Sequence, residues 1–494
     1  MMTYAKHLET VRAVRRRLDE YRSIEGLFRF DGWTSLPKSG AAWRQELAGR
    51  LEEDKAALLA SSDACAAAKY FSAMPLDEIE DEIVRAQVRI FLSEYRKTAG
   101  VPSELLREHA RLKAPVAAAW REAKAKKDYA LFAPWLKKAF DVRAALARAA
   151  APDRPVFETI VGQTDEGFSL AEISRELEHL RDGVAELLKT IEPREQPAFL
   201  RAEYAPDAVT AFGTCLAYWC GLDPDSVTFC DRGVHGLTNR PGPHDARISW
   251  ARNGRLGTLF TLLHEGGHAM ESTRTDEALA AAGLWGGVTG ALHEGIARFY
   301  ENIVGRSREF WTWHYPSLQK ALPELKAVAL DEFCAGISAV RPSACRIGSD
   351  EVTYSLHIII RFEMERDYFA GDLKAGDLRA AWNEKYAALL GVTPADDAEG
   401  ILQDMHWAGD YIGYFQSYAL GNLIGGQLRA ALLRDCPNAF AALAEGRIAP
   451  LDDWMQTHVF RYGCLYSAPE LLKRAAGAGL AAGPYLAYLN EKFA

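Results

Sequence analysis

Hydrophobic side chains recur at the spacing of a helix along most of the chain. In residues 6–23 they lie three or four positions apart, which places them on one helix face: Leu8, Val11, Val14, Leu18 and Tyr21. Ala, Leu, Glu, Arg and Lys, all good helix formers, dominate four further segments of this kind: 41–60, 78–97, 103–126 and 128–149. The pattern predicts a mainly α protein whose charged residues lie on solvated helix faces.

The pattern changes between residues 221 and 252, where Gly, Pro, Asp and Asn are frequent and short β-prone pieces (VTF, ARISW) occur. This change predicts a small irregular sheet near 225–252. Helical spacing returns at residue 255 and continues to the end, and no stretch resembles a flexible linker. We therefore expect one domain over 1–494, with an N-terminal helical part of about 1–150 and a body of about 200–494.

Composition and charge narrow the class of protein. The 494 residues are 49% hydrophobic and 25% charged, which suits a globular protein able to bury a core without disulfides or metals. The net charge is −9 and no long basic block occurs, so we expect no nucleic-acid partner. The eight cysteines form no CxxC pair and are expected to be buried, reduced thiols. No signal peptide or transmembrane stretch is evident, which predicts a cytoplasmic protein without a membrane partner.

The segment TLLHEGGHAMES (261–272) contains the pattern HExxH. If it is helical, His264 and His268 share one face and can reach one metal ion, with Glu265 beside them as a general base. Two adjacent glycines, Gly266 and Gly267, weaken a helix, and we expect them to permit close approach of another backbone or of substrate. From this motif alone, a pair of core or surface histidines remains an alternative interpretation.

A catalytic zinc needs a third protein ligand and an open position. Residues 291–302 (ALHEGIARFYEN) form a second helical stretch with His293 and Glu294. Neighbouring helical residues point about 100° apart, so only one of them should face the metal. Completion by a carboxylate is the commoner pattern with HExxH, which favours Glu294. Such a zinc would activate water against a carbonyl, with Glu265 moving the proton, and the chemistry indicated is hydrolysis of an amide.

Short motifs on both sides of HExxH extend this interpretation. In chain order they are LFRFDGWTSLPKSGAAWRQELAGRL (27–51), HGLT (235–238), DARIS (245–249), HEGGH, HEGI, CRIGSD (345–350), GILQD (400–404), HWAGDYIGYFQSYALGNL (406–423) and RYG (461–463). Their types and order resemble those of the carboxypeptidase Taq family of zinc metallocarboxypeptidases. The resemblance runs from about residue 20 to the C-terminus. One HExxH motif is weak evidence, whereas this ordered series is strong evidence.

The resemblance implies a mainly α fold: a large helical body with a long central groove, a small sheet near the active site, and N-terminal helices as a roof. It implies a homodimer that removes single residues from peptides with a free C-terminus. One Zn²⁺ per chain would serve this reaction, and Co²⁺ or another divalent metal could substitute for it.

The resemblance also implies which residues bind substrate. Arg346 would recognise the terminal carboxylate, because a guanidinium pairs with a carboxylate bidentately. Residues expected to line the groove or to bond the substrate or its oxyanion are Asp245, Arg247, Tyr414, Tyr418 and His235. Each arginine has a structural salt bridge as its alternative role, and each tyrosine has core packing.

The chain departs from the family pattern at several positions. Ile296 replaces a glutamine two residues after Glu294, Gly236 replaces a proline, and CRIGSD has Cys and Ser where the family has Ile or Val and Ala. Isoleucine cannot donate or accept a hydrogen bond, so a contact near the metal is expected to be lost. These departures make a catalytically impaired member that binds peptide or protein an alternative. A zinc oligopeptidase, which also uses HExxH on a helical fold, is a second alternative.

Overall fold

The computed structural model describes residues 3–494. The chain begins with a series of helices that bury one face. The buried face of the first helix includes Val11, Val14 and Leu18, at the spacing that the sequence predicts. The fourth helix begins after Asp81, whose carboxylate accepts hydrogen bonds from two free backbone N–H groups of the first turn. The N-terminal helices are α1 (Tyr4–Thr34), α2 (Ala41–Leu59), α3 (Ser62–Ser72), α4 (Glu82–Thr98), α5 (Ser103–Lys126) and α6 (Ala133–Ala150).

The small sheet predicted near 225–252 is present and has three strands. It follows the helices α7 (Val156–Gly162), α8 (Leu170–Leu188), α9 (Ala198–Arg201) and α10 (Pro206–Trp219). The strands are β1 (Val227–Cys230), β2 (Arg232–Gly242) and β3 (Asp245–Ala251). β3 is central, parallel to β1 and antiparallel to β2.

An irregular stretch of β2 directs it toward the next helix. Thr238 pairs with Ile248 in regular register, but the register shifts between Arg232 and Leu237. Such shifts bend a strand and redirect its residues. Gly236, within this stretch, is so close to the carboxylate of Glu265 that an added Cβ would lie 2.6 Å from Oε1.

The rest of the chain is helical. Its helices are α11 (Gly257–Thr273), α12 (Glu277–Ala281), α13 (Gly290–Arg298), α14 (Arg308–Ala321), α15 (Leu330–Ile337), α16 (Tyr354–Ala370), α17 (Leu378–Leu390), α18 (Phe415–Asp435), α19 (Ala439–Ala444), α20 (Ala449–His458), α21 (Ala468–Ala476) and α22 (Gly483–Phe493). A π-helical turn, Phe299–Val304, continues α13. In all, 67% of the residues are helical, which confirms the expected mainly α fold with a small sheet.

Glycines bring α11, α13 and α18 into close contact. A Cβ on Gly267 would lie 2.8 Å from Ala297 Cα, and one on Gly421 would lie 2.9 Å from Glu294 Cβ. Carbon atoms do not approach this closely, so both sites require glycine. Gly267 therefore admits a neighbouring backbone, as expected, whereas Gly266 faces the side chain of Leu222.

The apolar core is divided. The main cluster runs from Val116 to Leu489, and a separate cluster joins α1, α3 and α4 between Val11 and Leu92. A small third cluster around Ala86 and Leu284 lies between them. Polar contacts also link the two parts, such as that from Arg15 Nη2 to the carbonyl of Gly283 at 2.6 Å.

Helix α1 lies against β2, as expected for a roof. Gly26 approaches Pro241, and the ring of Trp33 meets that of His235 edge-on with centroids 4.2 Å apart. A cleft of about 440 Å³ opens between α1, β2 and residues 283–288. A second cleft, of about 380 Å³, lies beside α13 and is lined partly by residues 336–351.

The cysteines are free thiols that differ in their exposure. Within residues 3–494 no cysteine forms a disulfide, but only Cys220 and Cys464 are buried. The expectation of buried thiols is therefore wrong for Cys215 and Cys345, which are exposed.

No helix among the described residues combines the length and the apolar character needed to cross a membrane.

Candidate metal centre

Two histidines of α11 and one glutamate of α13 converge in the main core. His264 and His268 are four residues apart and therefore share one face of α11. The Nε2 atoms of His264 and His268 each lie 3.8 Å from Glu294 Oε2, and the ligand atoms of the three residues lie within 4.8 Å of one another. The close contact between α11 and α13 at Gly267 allows this approach.

This donor set fits a divalent cation. Atoms that share a tetrahedral zinc lie about 3.4 Å apart, given metal–ligand bonds of about 2.1 Å. The separations of 3.8 Å are close to that spacing and too long for hydrogen bonds between the three groups. Two imidazoles and a carboxylate form a ligand set of catalytic zinc sites.

A second carboxylate orients His264. His264 Nδ1 donates to Glu301 Oε2 at 2.9 Å, which leaves Nε2 directed at Glu294. Arg298 bridges the two acids, donating to Glu294 Oε1 at 2.8 Å and to Glu301 Oε2 at 3.2 Å. A histidine that ligates a metal commonly has such a carboxylate on its other nitrogen.

These charges set the pKa values of the buried groups. Burial raises the pKa of Glu301, but Arg298 and His264 outweigh it and lower the pKa to about 2. Burial lowers the pKa of His264, but Glu294 and Glu301 outweigh burial and raise it to about 9. The negative potential at His264 therefore favours a positive charge at this position, whether a proton or a metal ion.

His268 has a different environment. Burial lowers its pKa well below the usual value, and the neighbouring His293 lowers it further. The His293 ring stacks on His268 with centroids 3.8 Å apart, and His293 Nδ1 donates to Glu271. His293, the competing ligand by sequence, is thus engaged by Glu271 and does not belong to the His-His-Glu group.

Glu265 lies in contact with the strand β2. It is only 6% exposed, and its Oε2 accepts a hydrogen bond from the Thr238 hydroxyl at 2.7 Å. Burial raises the pKa of Glu265, although His264 and Thr238 lower it. A glutamate with a raised pKa is suited to take up a proton near neutral pH.

Arg346 already has a carboxylate partner. Its Nε and Nη2 donate to Asp404, with Nη2 at 2.7 Å from Oδ1, and Nη1 donates to the Tyr354 hydroxyl at 3.2 Å. Arg361 donates to the other oxygen of Asp404 at 2.6 Å. Burial raises the pKa of Asp404, but Arg361 and Arg346 outweigh it and lower the pKa. The salt bridge that was the alternative role of Arg346 is therefore present, and it fixes the direction of the guanidinium.

The two candidate tyrosines lie together at the start of α18. Their rings meet edge-on with centroids 5.2 Å apart, and the Tyr418 hydroxyl shares a hydrogen bond of 3.0 Å with His406 Nε2. Burial raises the pKa of Tyr414, and Glu294 raises it further. The tyrosine therefore remains protonated and can donate a hydrogen bond close to the candidate ligand.

The remaining candidates lie on the sheet. Arg247 donates to both oxygens of Asp245 at 2.9 Å, so these two residues of β3 pair with each other. His235 is exposed on the irregular part of β2, beside Trp33. None of the three belongs to the His-His-Glu group.

Ile296, which stands where the family pattern has a glutamine, lies in the core. Its side chain is 0% exposed and belongs to the main apolar cluster. Two positions along a helix are about 200° apart, so Ile296 points away from the side of α13 that carries Glu294. The isoleucine is thus accommodated by packing.

Several residues at the site were missed by sequence reasoning. Thr238, Asp404 and His406 lie within the motifs HGLT, GILQD and HWAG, so the motifs contained a signal. Glu301 follows Glu294 by seven residues, a separation that returns to the same helix face. Glu271 gave no comparable signal, because its partner His293 is 22 residues away on another helix.

HExxH on one buried helix, with a third carboxylate on the following helix, defines a helical metallopeptidase site. The family model of the carboxypeptidase Taq (M32) metallopeptidases matches residues 10–493. The chain belongs to this family of metallocarboxypeptidases, which are hydrolases. Membership implies peptide substrates and a divalent metal.

Relatives support this assignment over the whole chain. Carboxypeptidase 1 of Bacillus subtilis (strain 168) is 30% identical over 484 residues, covering 97% of this chain and 96% of that protein. Thermostable carboxypeptidase 1 of Pyrococcus furiosus is 31% identical over 420 residues, covering 84% of each. The solved Pyrococcus furiosus carboxypeptidase (apo-Mg) matches with a TM-score of 0.94 at 28% identity, covering 100% of both chains. The M32 carboxypeptidase of Deinococcus radiodurans R1 matches with a TM-score of 0.92 at 30% identity, covering 99% of this chain and 98% of that one.

Proposed function

We propose that this chain is a zinc-dependent carboxypeptidase that releases single residues from the C-terminus of peptides. His264, His268 and Glu294 would hold one zinc per chain, and Glu265 would act as the general base. The observation that carries the proposal is the convergence of the three ligand atoms within 4.8 Å beside a buried carboxylate. Two nitrogens and one oxygen suit zinc, and Co²⁺ or another divalent ion could take its place.

A metal at this set would supply Lewis-acid polarisation of the scissile carbonyl and a lowered pKa for water. Glu265 takes the proton of the attacking water and delivers it to the leaving amine. Thr238 holds this carboxylate by one oxygen, so the other oxygen can accept the proton. Tyr414 and Tyr418 donate hydrogen bonds to the substrate or to the developing oxyanion.

A carboxypeptidase must recognise a free α-carboxylate, and we assign this role to Arg346. Asp404 holds one edge of the guanidinium, which leaves N–H groups of Nη1 and Nη2 for a substrate. Fixing the group in advance lowers the entropy lost on binding. Asp245, Arg247 and His235 line the groove in this proposal. The proposal also includes a single domain over 1–494, a homodimer and a cytoplasmic location, which rest on sequence pattern and family resemblance.

The test combines metal analysis with a release assay. Purified protein should contain about one zinc per chain and release the last residue from N-blocked dipeptides with a free carboxylate. The same peptides as C-terminal amides should not be cut. Internal cleavage of longer amidated peptides would replace the proposal with an oligopeptidase. Absence of metal, with no activity on added Zn²⁺ or Co²⁺, would indicate a non-catalytic peptide-binding protein.

A further inference from the structure

Arg240, on β2, lies within ion-pair distance of Glu271 but donates no hydrogen bond to the described protein. Its side chain is 31% exposed, and its guanidinium forms no hydrogen bond within residues 3–494. Nη1 is buried, and the nearest carboxylate oxygen, Oε2 of Glu271, lies 3.6 Å away. Glu271 Oε2 already accepts the hydrogen bond from His293 Nδ1. A buried N–H without a partner is uncommon and calls for a ligand or another explanation.

The other arginines around the site differ from Arg240. Arg346 and Arg361 donate to Asp404, Arg247 donates to Asp245, and Arg298 donates to Glu294 and Glu301. Each of these guanidiniums already donates to a carboxylate. Of these five arginines, Arg240 is therefore the one best able to receive a carboxylate side-on with two parallel bonds.

Arg240 also lies beside the metal centre, on a different side from Arg346. It faces Glu271, whose partner His293 stacks on His268. Arg346 contacts Tyr354, whose ring lies against Arg298, the partner of Glu294. The clefts that the two arginines line share no residue.

The cleft at Arg240 has room and charge for a peptide. Its volume is about 440 Å³, and its charged lining comprises six basic and four acidic side chains. That excess of positive charge contrasts with a chain whose net charge is −9. A carboxypeptidase substrate extends beyond the cleaved bond by only one residue on its C-terminal side, so the larger of the two clefts suits the N-terminal side.

We infer that Arg240 binds an acidic side chain on the residue that precedes the cleaved bond, and so makes the enzyme prefer Glu or Asp at the penultimate position of its substrates. This inference rests on the proposed carboxypeptidase function and adds a substrate class to it. Arg346 recognises the terminal carboxylate, and Arg240 recognises a second carboxylate one residue earlier. Hydrogen bonds between two charged groups are among the stronger ones in proteins, and a roughly tenfold preference is the expected scale at a partly exposed side chain such as that of Arg240.

The test compares two nearly isosteric substrates, N-acetyl-Glu-Ala and N-acetyl-Gln-Ala, on the zinc-loaded full chain. The wild-type ratio of kcat/KM, Glu over Gln, should be about ten at low salt and should fall as salt is added. In Arg240→Gln the ratio should fall to about one. In Arg240→Glu it should fall below one, and N-acetyl-Lys-Ala should become preferred over N-acetyl-Gln-Ala.

Arg232→Gln is the matched control, because Arg232 is an exposed arginine on the same strand and lies outside the cleft lining. It should keep the wild-type ratio. A wild-type ratio near one would overturn the inference, as would a ratio in Arg240→Gln equal to that of wild type. In either case, release of alanine from both peptides would still support the proposed carboxypeptidase function. If neither peptide were cleaved, the proposed function itself would fail. Circular dichroism of each variant identifies any loss of folding separately from a change in ratio.

Discussion

Glu265 can be separated from the metal ligands, because its carboxylate bonds to Thr238 rather than to either histidine. Glu265→Gln keeps nearly the same shape and removes the base. We expect zinc content to stay near one per chain while kcat falls by roughly 10²–10⁴-fold, the usual contribution of a general base. Metal analysis and the release assay on the same preparation provide the measurement.

A matched control for that prediction is Thr238→Val, which removes the hydroxyl and leaves the carboxylate in place. It should reduce kcat less than Glu265→Gln does, because the base remains and only its orientation is loosened. If Glu265→Gln kept wild-type turnover, Glu265 would have no part in the mechanism.

Helical spacing predicted which side chains share a face of one helix, but it did not predict contacts between separate elements. His264, Glu265 and His268 could be predicted because four residues bring side chains to one face. The pairing of Arg346 with Asp404 could not be predicted, because the two residues are 58 positions apart and lie on separate loops. No periodicity relates two loops, so such contacts are visible only in the structure.

The close contact of helix α13 with helix α18 determines where Glu294 lies. Gly421→Ala would add a Cβ 2.9 Å from Glu294 Cβ and 3.0 Å from the backbone N of Gly295. Backbone cannot yield as a flexible side chain does, so we expect a loss of about 1–3 kcal/mol in the free energy of unfolding. Zinc affinity should fall as well, because α13 must move with its ligand. Denaturant unfolding and competitive metal titration measure the two effects.

Gly49→Ala is the control for that substitution. Gly49 lies inside α2, and an added Cβ would meet nothing within 4 Å. Alanine should stabilise this helix by about 0.5–1 kcal/mol and leave zinc affinity unchanged. Equal effects of the two substitutions would show that helix propensity, and not the contact with Glu294, is responsible.

The sequence predicted five N-terminal helical segments and a helical character after residue 255, but not the bounds of the interior helices. α1 was expected over 6–23 and extends to Thr34, where contact with β2 supports a segment that lacks a strong apolar face. α18 is buried on nearly all sides, so it has little amphipathic pattern to detect. The π-helical turn at Phe299–Val304, which carries Glu301, depends on packing against neighbouring helices and has no periodic signature.

The free energy of unfolding should depend on pH and on bound metal through His264. The ordinary pKa of 6.5 is raised to about 9 in the metal-free fold, where burial opposes the shift and Glu294 and Glu301 outweigh it. The protonated histidine therefore stabilises the metal-free protein below about pH 6.5, and this contribution is lost as pH rises through about 9. At most about 3.5 kcal/mol is involved, since each pKa unit corresponds to about 1.4 kcal/mol.

Chelator-treated protein should therefore show a falling Tm between about pH 6.5 and 9, measured by calorimetry. Zinc-loaded protein should not share this decline, because ligation requires a neutral histidine and is favoured by rising pH. Glu301→Gln removes one of the two carboxylates that raise the pKa of His264, so its metal-free Tm should depend less on pH. A metal-free Tm that rose over this range would contradict the assignment of His264.

The separate apolar cluster of α1, α3 and α4 has a consequence for how the molecule opens. The ligands, Glu265 and Arg346 belong to the body. Helices α1 to α4 meet that body through a small apolar cluster, the contact of α1 with β2, and polar contacts. Such a unit can detach at a lower free energy than global unfolding requires. We expect backbone amides of α1 to α4 to exchange with deuterium together, well before those of α11 and α18. Peptide could then enter while α1 to α4 are briefly detached, and the metal ligands of the body would keep their positions.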